Sequence, residues 1–223
     1  SSLLFLSVLT LALGNDRGEV LGYSFINFLA PGLIIQSMIQ QSFSHSVSSL
    51  MISKLQGNIV DMLYSPLSAS EVTLGIILAA VTRSMLIGII STFVFSFIVE
   101  INITNIFYIF FASFFGSFFL AALGFITGLW AEKFDHTATI TNFIITPLSF
   151  LSGVFYSIER LPSIFQSISH VNPFFHIINI FRYGFLDKSD GSITFGLIFL
   201  PILSLLTWLI AFYLYKVGYK IKS

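Results

Sequence analysis

The stretch SGVFYSIERLPSIFQSISHVNPFFHIINIFRYGFLDKSD, residues Ser152 to Asp190, decides how the chain folds. A clean apolar run from Ala138 to Tyr156 leads into it, and another, Ile193 to Tyr215, leads out; each is long enough to cross a bilayer. The stretch is nearly as apolar, yet it carries Glu159, Arg160 and Arg182 and is broken at Pro162 and at Asn172-Pro173. Proline disfavours helical geometry at the residue before it, so helices end near Leu161 and Asn172. The pieces Ser163 to Val171 and Pro173 to Leu186 are too short to span roughly 30 Å of hydrocarbon. Irregular backbone survives at membrane depth only when buried in protein or lining a wet cavity. The pattern predicts a pair of short re-entrant helices dipping into one face of the membrane, between the last two spans.

Composition fixes the class around this stretch. Charged residues make up 9% of the chain and hydrophobic residues 56%, where a soluble domain carries about 25% charged residues. With a mean hydropathy of +0.94, the chain reads as an integral, all-α membrane protein. A formal net charge of +0 excludes a polybasic nucleic-acid binder. The absence of cysteine excludes disulfides, thiol chemistry and thiolate metal sites. Ser1 to Gly14 is apolar but covers only about 21 Å as a helix. We read it as the outer half of a first span that begins before Ser1, behind an N-terminal cytoplasmic segment.

Working outward from there, a polar loop (Asn15 to Glu19) precedes Tyr23 to Ser53, a run without Asp, Glu, Lys or Arg. Pro31-Gly32 marks a kink in it. Gln36, Gln40 and Ser44 share one face at i, i+4 spacing. They serve either as interhelical hydrogen-bonding groups or as a polar wall of a translocation path. Lys54 to Glu71 is the one substantial polar loop between spans. Within it Leu55, Ile59, Met62 and Leu63 recur at helical spacing, predicting a short amphipathic helix that stops before Pro66. Such a helix, with Asp61 and Tyr64 beside its stripe, lies on lipid or docks a partner; its few basic residues favour the partner. Ser68 and Glu71 form a capping box that launches the next span, Val72 to Val99. That span carries one charge, Arg83, which either snorkels or faces a polar interior.

Ile106 to Trp130 is the most aromatic span. Phe107, Phe111, Phe114, Phe115 and Phe118 form one face; Ser113, Gly116, Ser117, Gly124 and Gly128 form another, suited to close helix packing. The count is six spans, the first truncated, in one membrane domain covering residues 1–223. Lys216, Lys220 and Lys222 follow the last span, with Lys54 and Lys133 on the same side by parity. Arg17, Arg160, Arg182 and Lys188 fall on the other. The lysine excess places the C-terminus in the cytoplasm and the broken helices outside.

No residue set supplies energy or catalysis. The sequence has no GxxxxGKS or GxxxxGKT loop, no Asp or Glu at mid-span, and no GxSxG; its four histidines lie in separate segments without metal-ligand spacing. Catalytic and metal residues are therefore none, and no cofactor is expected on this chain. Energy comes from a partner, or the protein is a passive channel or membrane scaffold. At the broken stretch, Asn172 can satisfy backbone groups freed at the break, and Pro173 suits the first position of a helix. Arg182 can tie carbonyls or a carboxylate across it, Glu159 being the candidate. Together they read as an outer gate.

The SGVFY-like span end, the LP and the NPFFHIINIFRYGF block resemble the C-terminal signature of ABC-2 type transporter permeases. The resemblance extends from GYSFINFLAPG onward over essentially the whole chain. In the bacterial branch the position of His176 is often Tyr and that of Asn179 often acidic. The resemblance implies the permease subunit of an ATP-driven exporter in the inner membrane, working as a homodimer with separate ATP-binding subunits that carry ATP and Mg. It makes the loop with Leu55, Ile59, Asp61, Met62, Leu63 and Tyr64 the coupling helix that receives the ATPase. It leaves the cargo open among lipid-linked polysaccharides, lipo-oligosaccharides, drugs and other amphiphiles.

Overall fold

The computed structural model describes residues 8, 19–20, 22–158 and 161–220, with Glu19, Met62 and Leu63 described by backbone alone. The expected first half-span apart from Val8, most of the loop after it, Glu159, Arg160 and Lys222 lie outside the described residues. A two-residue ladder opens the fold, β1 (Glu19–Val20) against β2 (Tyr23–Ser24). The rest is helical: α1 (Phe25–Leu55), α2 (Ile59–Tyr64), α3 (Ala69–Phe95), α4 (Ile106–Trp130) and α5 (Phe134–Ile140). A π-turn (Thr141–Ile145) then leads to α6 (Thr146–Phe150), α7 (Ser163–Val171), α8 (Pro173–Leu186) and α9 (Ile193–Val217).

Among the described residues, three helices are both long and apolar enough to cross a membrane: α3, α4 and α9. The 31 residues of α1 would also reach across, but Gln, Ser and His residues make it less apolar, and most of it is buried. Pro31 sits inside α1 without ending it. Asn172 breaks the chain between α7 and α8 as the prolines require: its side chain accepts from the Phe174 N–H, and Pro173 follows at the first helical position.

The run Ala138 to Tyr156 departs from its expected extent. Helix there begins earlier, at Phe134, and stops at Phe150. Pro147 offers no N–H to the carbonyl four residues back, at Phe143. Immediately before it the backbone widens, and the Thr146 N–H reaches the Thr141 carbonyl five residues away. The chain then turns through Gly153 at φ 77 instead of continuing as helix.

The centre of the bundle is α1 packed on α4, with α3, α8 and α9 around them. The small face of α4 makes this possible. A Cβ on Gly124 would sit 2.5 Å from the Phe43 carbonyl oxygen, and one on Gly128 3.0 Å from Leu50 Cβ. Between Gly124 and the start of α4, hydroxyls bind the helices. Ser42 Oγ donates to the Ser117 carbonyl (2.7 Å), Ser84 Oγ to the Met38 carbonyl (2.9 Å), and Ser84 and Ser117 share a bond of 2.6 Å. Each such bond contributes roughly 0.6 kcal/mol in membrane bundles. The phenylalanine face of α4 is left exposed or half-buried.

One end of the bundle is tied by lysines. Lys54 Nζ donates to the Leu129 and Ala131 carbonyls, and Lys220 Nζ to the Trp130 carbonyl (3.3 Å), a cation meeting the negative end of α4. Lys220 also pairs with Glu132 at 2.9 Å. The hydrogen bond from Lys220 holds the Glu132 carboxyl below its usual range, and the same bond raises Lys220.

We expect Gly124→Val to destabilise the bundle at the upper end of the roughly 1–3 kcal/mol that overpacking costs, because its neighbour is backbone. Gly75→Ala, where a Cβ meets nothing within 4 Å, should be neutral or stabilising. Thermal unfolding of both variants in detergent checks the contrast; equal melting would refute close α1–α4 packing as the reason for Gly124.

Candidate functional site

The short helix α8 is enclosed on nearly every side. Residues Phe174 to Arg182 are all buried, including the polar His176, Asn179 and Arg182. Its last carbonyls, which a helix end leaves without partners, are met by other segments. The N–H groups of Thr104 and Asn105 donate to the Gly184 carbonyl (3.0 and 2.9 Å), Thr104 Oγ1 to that of Phe185 (2.9 Å), and the Tyr23 hydroxyl to that of Leu186 (2.7 Å). Gly184 allows this approach, since a Cβ there would lie 2.5 Å from Ile109. At the other end Asn172 Nδ2 donates to the Leu148 carbonyl (2.7 Å) and His176 Nε2 pairs with the His170 carbonyl (2.8 Å).

Arg182 is the chemical centre of this arrangement. It is 2% exposed. Its Nη2 donates to the Gly153 carbonyl at 2.9 Å and lies 3.4 Å from that of Val154, its Nη1 lies 3.6 Å from Asp190 Oδ2, and its guanidinium carbon sits 3.7 Å from the Phe28 ring centroid. Asp190 is held in turn: Ser157 Oγ donates to its Oδ1 (2.7 Å), and its N–H donates to Asn179 Oδ1 (2.9 Å). Asn179 Nδ2 donates to the Gly191 carbonyl (3.3 Å), a bond an acidic residue could not make. On α1, Gly32 makes room, since a Cβ would lie 3.1 Å from both Arg182 Nη2 and the Val154 oxygen. One guanidinium thus ties α1, the turn after α6, α8 and the α8–α9 loop.

Among the described residues the carboxylate beside Arg182 is Asp190, one the sequence reading did not name. Glu159 lies outside the described residues, and the anion facing Arg182 is Asp190. The signal was eight residues downstream, in a short loop that reads as solvated. Only the left-handed turn at Asp187 (φ 51) folds it back over α8.

At the lysine-tied end, α2 stops before Ser65-Pro66. Leu55 and Tyr64 are exposed (61% and 87%), as is Asp61, whereas Ile59 is buried at 7% and faces the bundle. The Met62 and Leu63 side chains lie outside the described residues. Val60 and Leu67 join the exposed apolar set; six residues of helix leave the outward face ambiguous to sequence reading. Beside them Asp61, Ser65, Leu67, Glu71, Gly75 and Ile76 border a cleft of about 410 Å³.

The polar face of α1 divides. Gln36 is buried and Gln40 half-buried in the bundle. Ser44 and Arg83 come together with Gln41, His45, Ser48 and Ser49 around an open notch of about 220 Å³. Among the described residues no cluster of three His, Cys, Asp or Glu side chains could hold a metal ion.

The sequence is similar to known proteins. The sequence model of the family described as ABC-2 type transporter matches residues 2–186. The inner membrane transport permease YadH of Escherichia coli (strain K12) is 32% identical over 204 residues, covering 91% of this chain and 77% of that protein. Nodulation protein J of Sinorhizobium fredii is 27% identical over 184 residues, 81% of this chain and 70% of its own length. Nodulation protein J of Neorhizobium galegae is 26% identical over 186 residues, 83% and 71% of the two chains.

Asp190→Asn is expected to destabilise the protein by about 3–5 kcal/mol, the cost of leaving a buried charge without its partner. Combining it with Arg182→Met should cost less than the sum of the single changes. A double-mutant cycle on thermal unfolding in detergent measures this; additive effects would mean the pair does not interact.

Proposed function

The chain belongs to the ABC-2 type transporter family, and on that premise we propose that it is the permease subunit of an ATP-driven exporter. It works as a homodimer in the inner membrane, crossing it several times, and forms the path for an amphiphilic cargo such as a lipid-linked glycan or a drug. Two separate subunits bind ATP and Mg and supply the energy. The observation that carries this reading is a membrane chain of transporter kinship whose sequence has no phosphate-binding loop and no mid-span carboxylate.

In this reading the six spans are residues 1–14, α1, α3, α4, the segment 134–150 and α9. The helices α7 and α8 are re-entrant, and residues Glu159, Asn172, Pro173 and Arg182 belong to the outer cap. The ATPase docks on α2, between the second and third spans. An exposed apolar surface of Leu55, Val60, Tyr64 and Leu67 beside an acidic cleft supports that assignment: the apolar side chains suit a packed contact, and Asp61 and Glu71 suit basic groups at its rim. The gathering of Lys54 and Lys220 at the same end supports a cytoplasmic C-terminus.

Tyr64→Asp and Met62→Asp should leave insertion and expression intact while reducing co-purification of the ATPase, and its stimulation, at least tenfold. Wild-type values for both variants would remove α2 from the docking role. If no ATPase accompanies even the unmodified protein, a passive channel or scaffold takes the permease's place.

For topology, the native sequence has no cysteine to interfere. A cysteine replacing Lys188 should react with an impermeant thiol reagent added to intact cells, and one replacing Ser223 should not. The reverse pattern would invert the orientation.

A further inference from the structure

We propose that Arg83 and the α1 residues across the notch from it, Gln41, Ser44 and Ser48, form a binding subsite for the anionic head group of the cargo. The proposal rests on the permease reading above and narrows its cargo to amphiphiles that carry a phosphate or a carboxylate.

Position comes first. Arg83 lies roughly 21 Å from the start of α3 at Ala69 and about 18 Å from its end at Phe95, at 1.5 Å per residue. A helix crossing roughly 30 Å of hydrocarbon therefore holds this residue near mid-depth, further from either surface than an arginine side chain extends. Snorkelling does not relieve it. A charge at that depth is costly unless it meets water or a partner.

Among the described residues Arg83 has no carboxylate partner: the ion pairs are Arg182–Asp190 and Lys220–Glu132, and Arg83 takes part in neither. None of the residues bordering the notch is acidic. A second copy of the chain does not help. Of its 10 acidic residues, those within the long helices α1, α3, α4 and α9 reduce to Glu71, in the first turn of α3. Residues 1–14 contain no carboxylate either.

The groups around the guanidinium complete an anion's shell. The Gln41 amide and the Ser44 and Ser48 hydroxyls can each donate, and Ser44 is exposed. His45 Nδ1 is buried without a partner beside them. Ser49 is already committed, its hydroxyl donating to the His45 carbonyl at 2.9 Å. The volume of about 220 Å³ falls below the roughly 300–1,000 Å³ of sites that enclose a drug-sized ligand. It suits one head group, with the apolar tail left among the spans.

The test uses the purified full chain in detergent, titrated by native mass spectrometry with dioctanoyl phosphatidic acid and with the uncharged dioctanoylglycerol. The phosphatidic acid should bind at least tenfold more tightly. Arg83→Gln should lose about tenfold of that affinity and Arg83→Lys less than threefold. Ser44→Leu, which fills the notch from α1 without altering charge, should also weaken binding and covers the case in which Arg83→Gln does not fold. Equal binding of the two lipids, or unchanged affinity in both Arg83→Gln and Ser44→Leu, overturns the subsite. Displacement of the lipid by an equal concentration of inorganic phosphate would reassign it to a free anion and overturn the cargo assignment. ATPase co-purification, measured separately, reports on the permease reading: its absence in the unmodified protein would sink that reading without altering the lipid titration.

Discussion

A guanidinium buried to 2% exposure must have its charge answered within the protein, and the fold around α8 is organised by that requirement. Arg182 needs a carboxylate, which brings the α8–α9 loop back over the helix as Asp190. Its Nη2 finds acceptors in the open turn at Gly153 and Val154, while its Nε is buried without a hydrogen-bond partner among the described residues. It also needs a flat apolar neighbour, which Phe28 provides from α1. Each answer comes from a different segment, so one side chain fixes the mutual placement of four. The energetic gain from a buried pair over an apolar equivalent is small or negative. What the pair contributes is a single arrangement, since any alternative packing of α8 strands the charge.

Arg182 and Arg83, each set in an apolar stretch, meet the same constraint in opposite ways. Arg182 sits on a helix too short to span and is enclosed with its counter-charge. Arg83 sits midway along a helix long enough to span, is exposed, and faces neutral donors. A structural cation is stabilised by what the chain brings to it. On the subsite proposed above, a cation left facing an open notch is stabilised by what enters from outside. Burial and pairing together separate these cases; the sequence, which shows an Arg in an apolar run both times, does not.

Local rules made much of the fold legible. Prolines at 162 and 173 set the limits of α7 and α8 because they act on the adjacent residue alone, and Ser68 with Glu71 set the start of α3 for the same reason. The small residues of α4 gave its packing face, although not that Phe43 and Leu50 of α1 would fill it. The segment after Phe134 was misjudged because hydropathy counts apolar residues and is blind to the missing donor at Pro147. Asp190 was missed because its meeting with Arg182 depends on a left-handed turn at a non-glycine residue, Asp187. The side on which Ile59 faces depended on how a helix of one and a half turns docks, which periodicity over so few residues does not determine.

The position of α1 ties these separate sites together. Its 31 residues form one uninterrupted helix of roughly 46 Å. Near its start, Phe28 and Gly32 touch Arg182; in its second half, Gln41 to Ile52 line the notch opposite Arg83; at its end, Leu55 precedes α2. Its close contact with α4, where glycines leave no space for sliding side chains, makes the pair a stiff unit. If force enters at α2, α1 cannot move at that end without moving at the other, and a tilt of the helix changes the notch and the surroundings of Arg182 together. An arrangement that must open to a head group from one side and release it at the other needs such a connection. A chain in which α2, the notch and the surroundings of Arg182 lay on separate loops would need further elements to provide it.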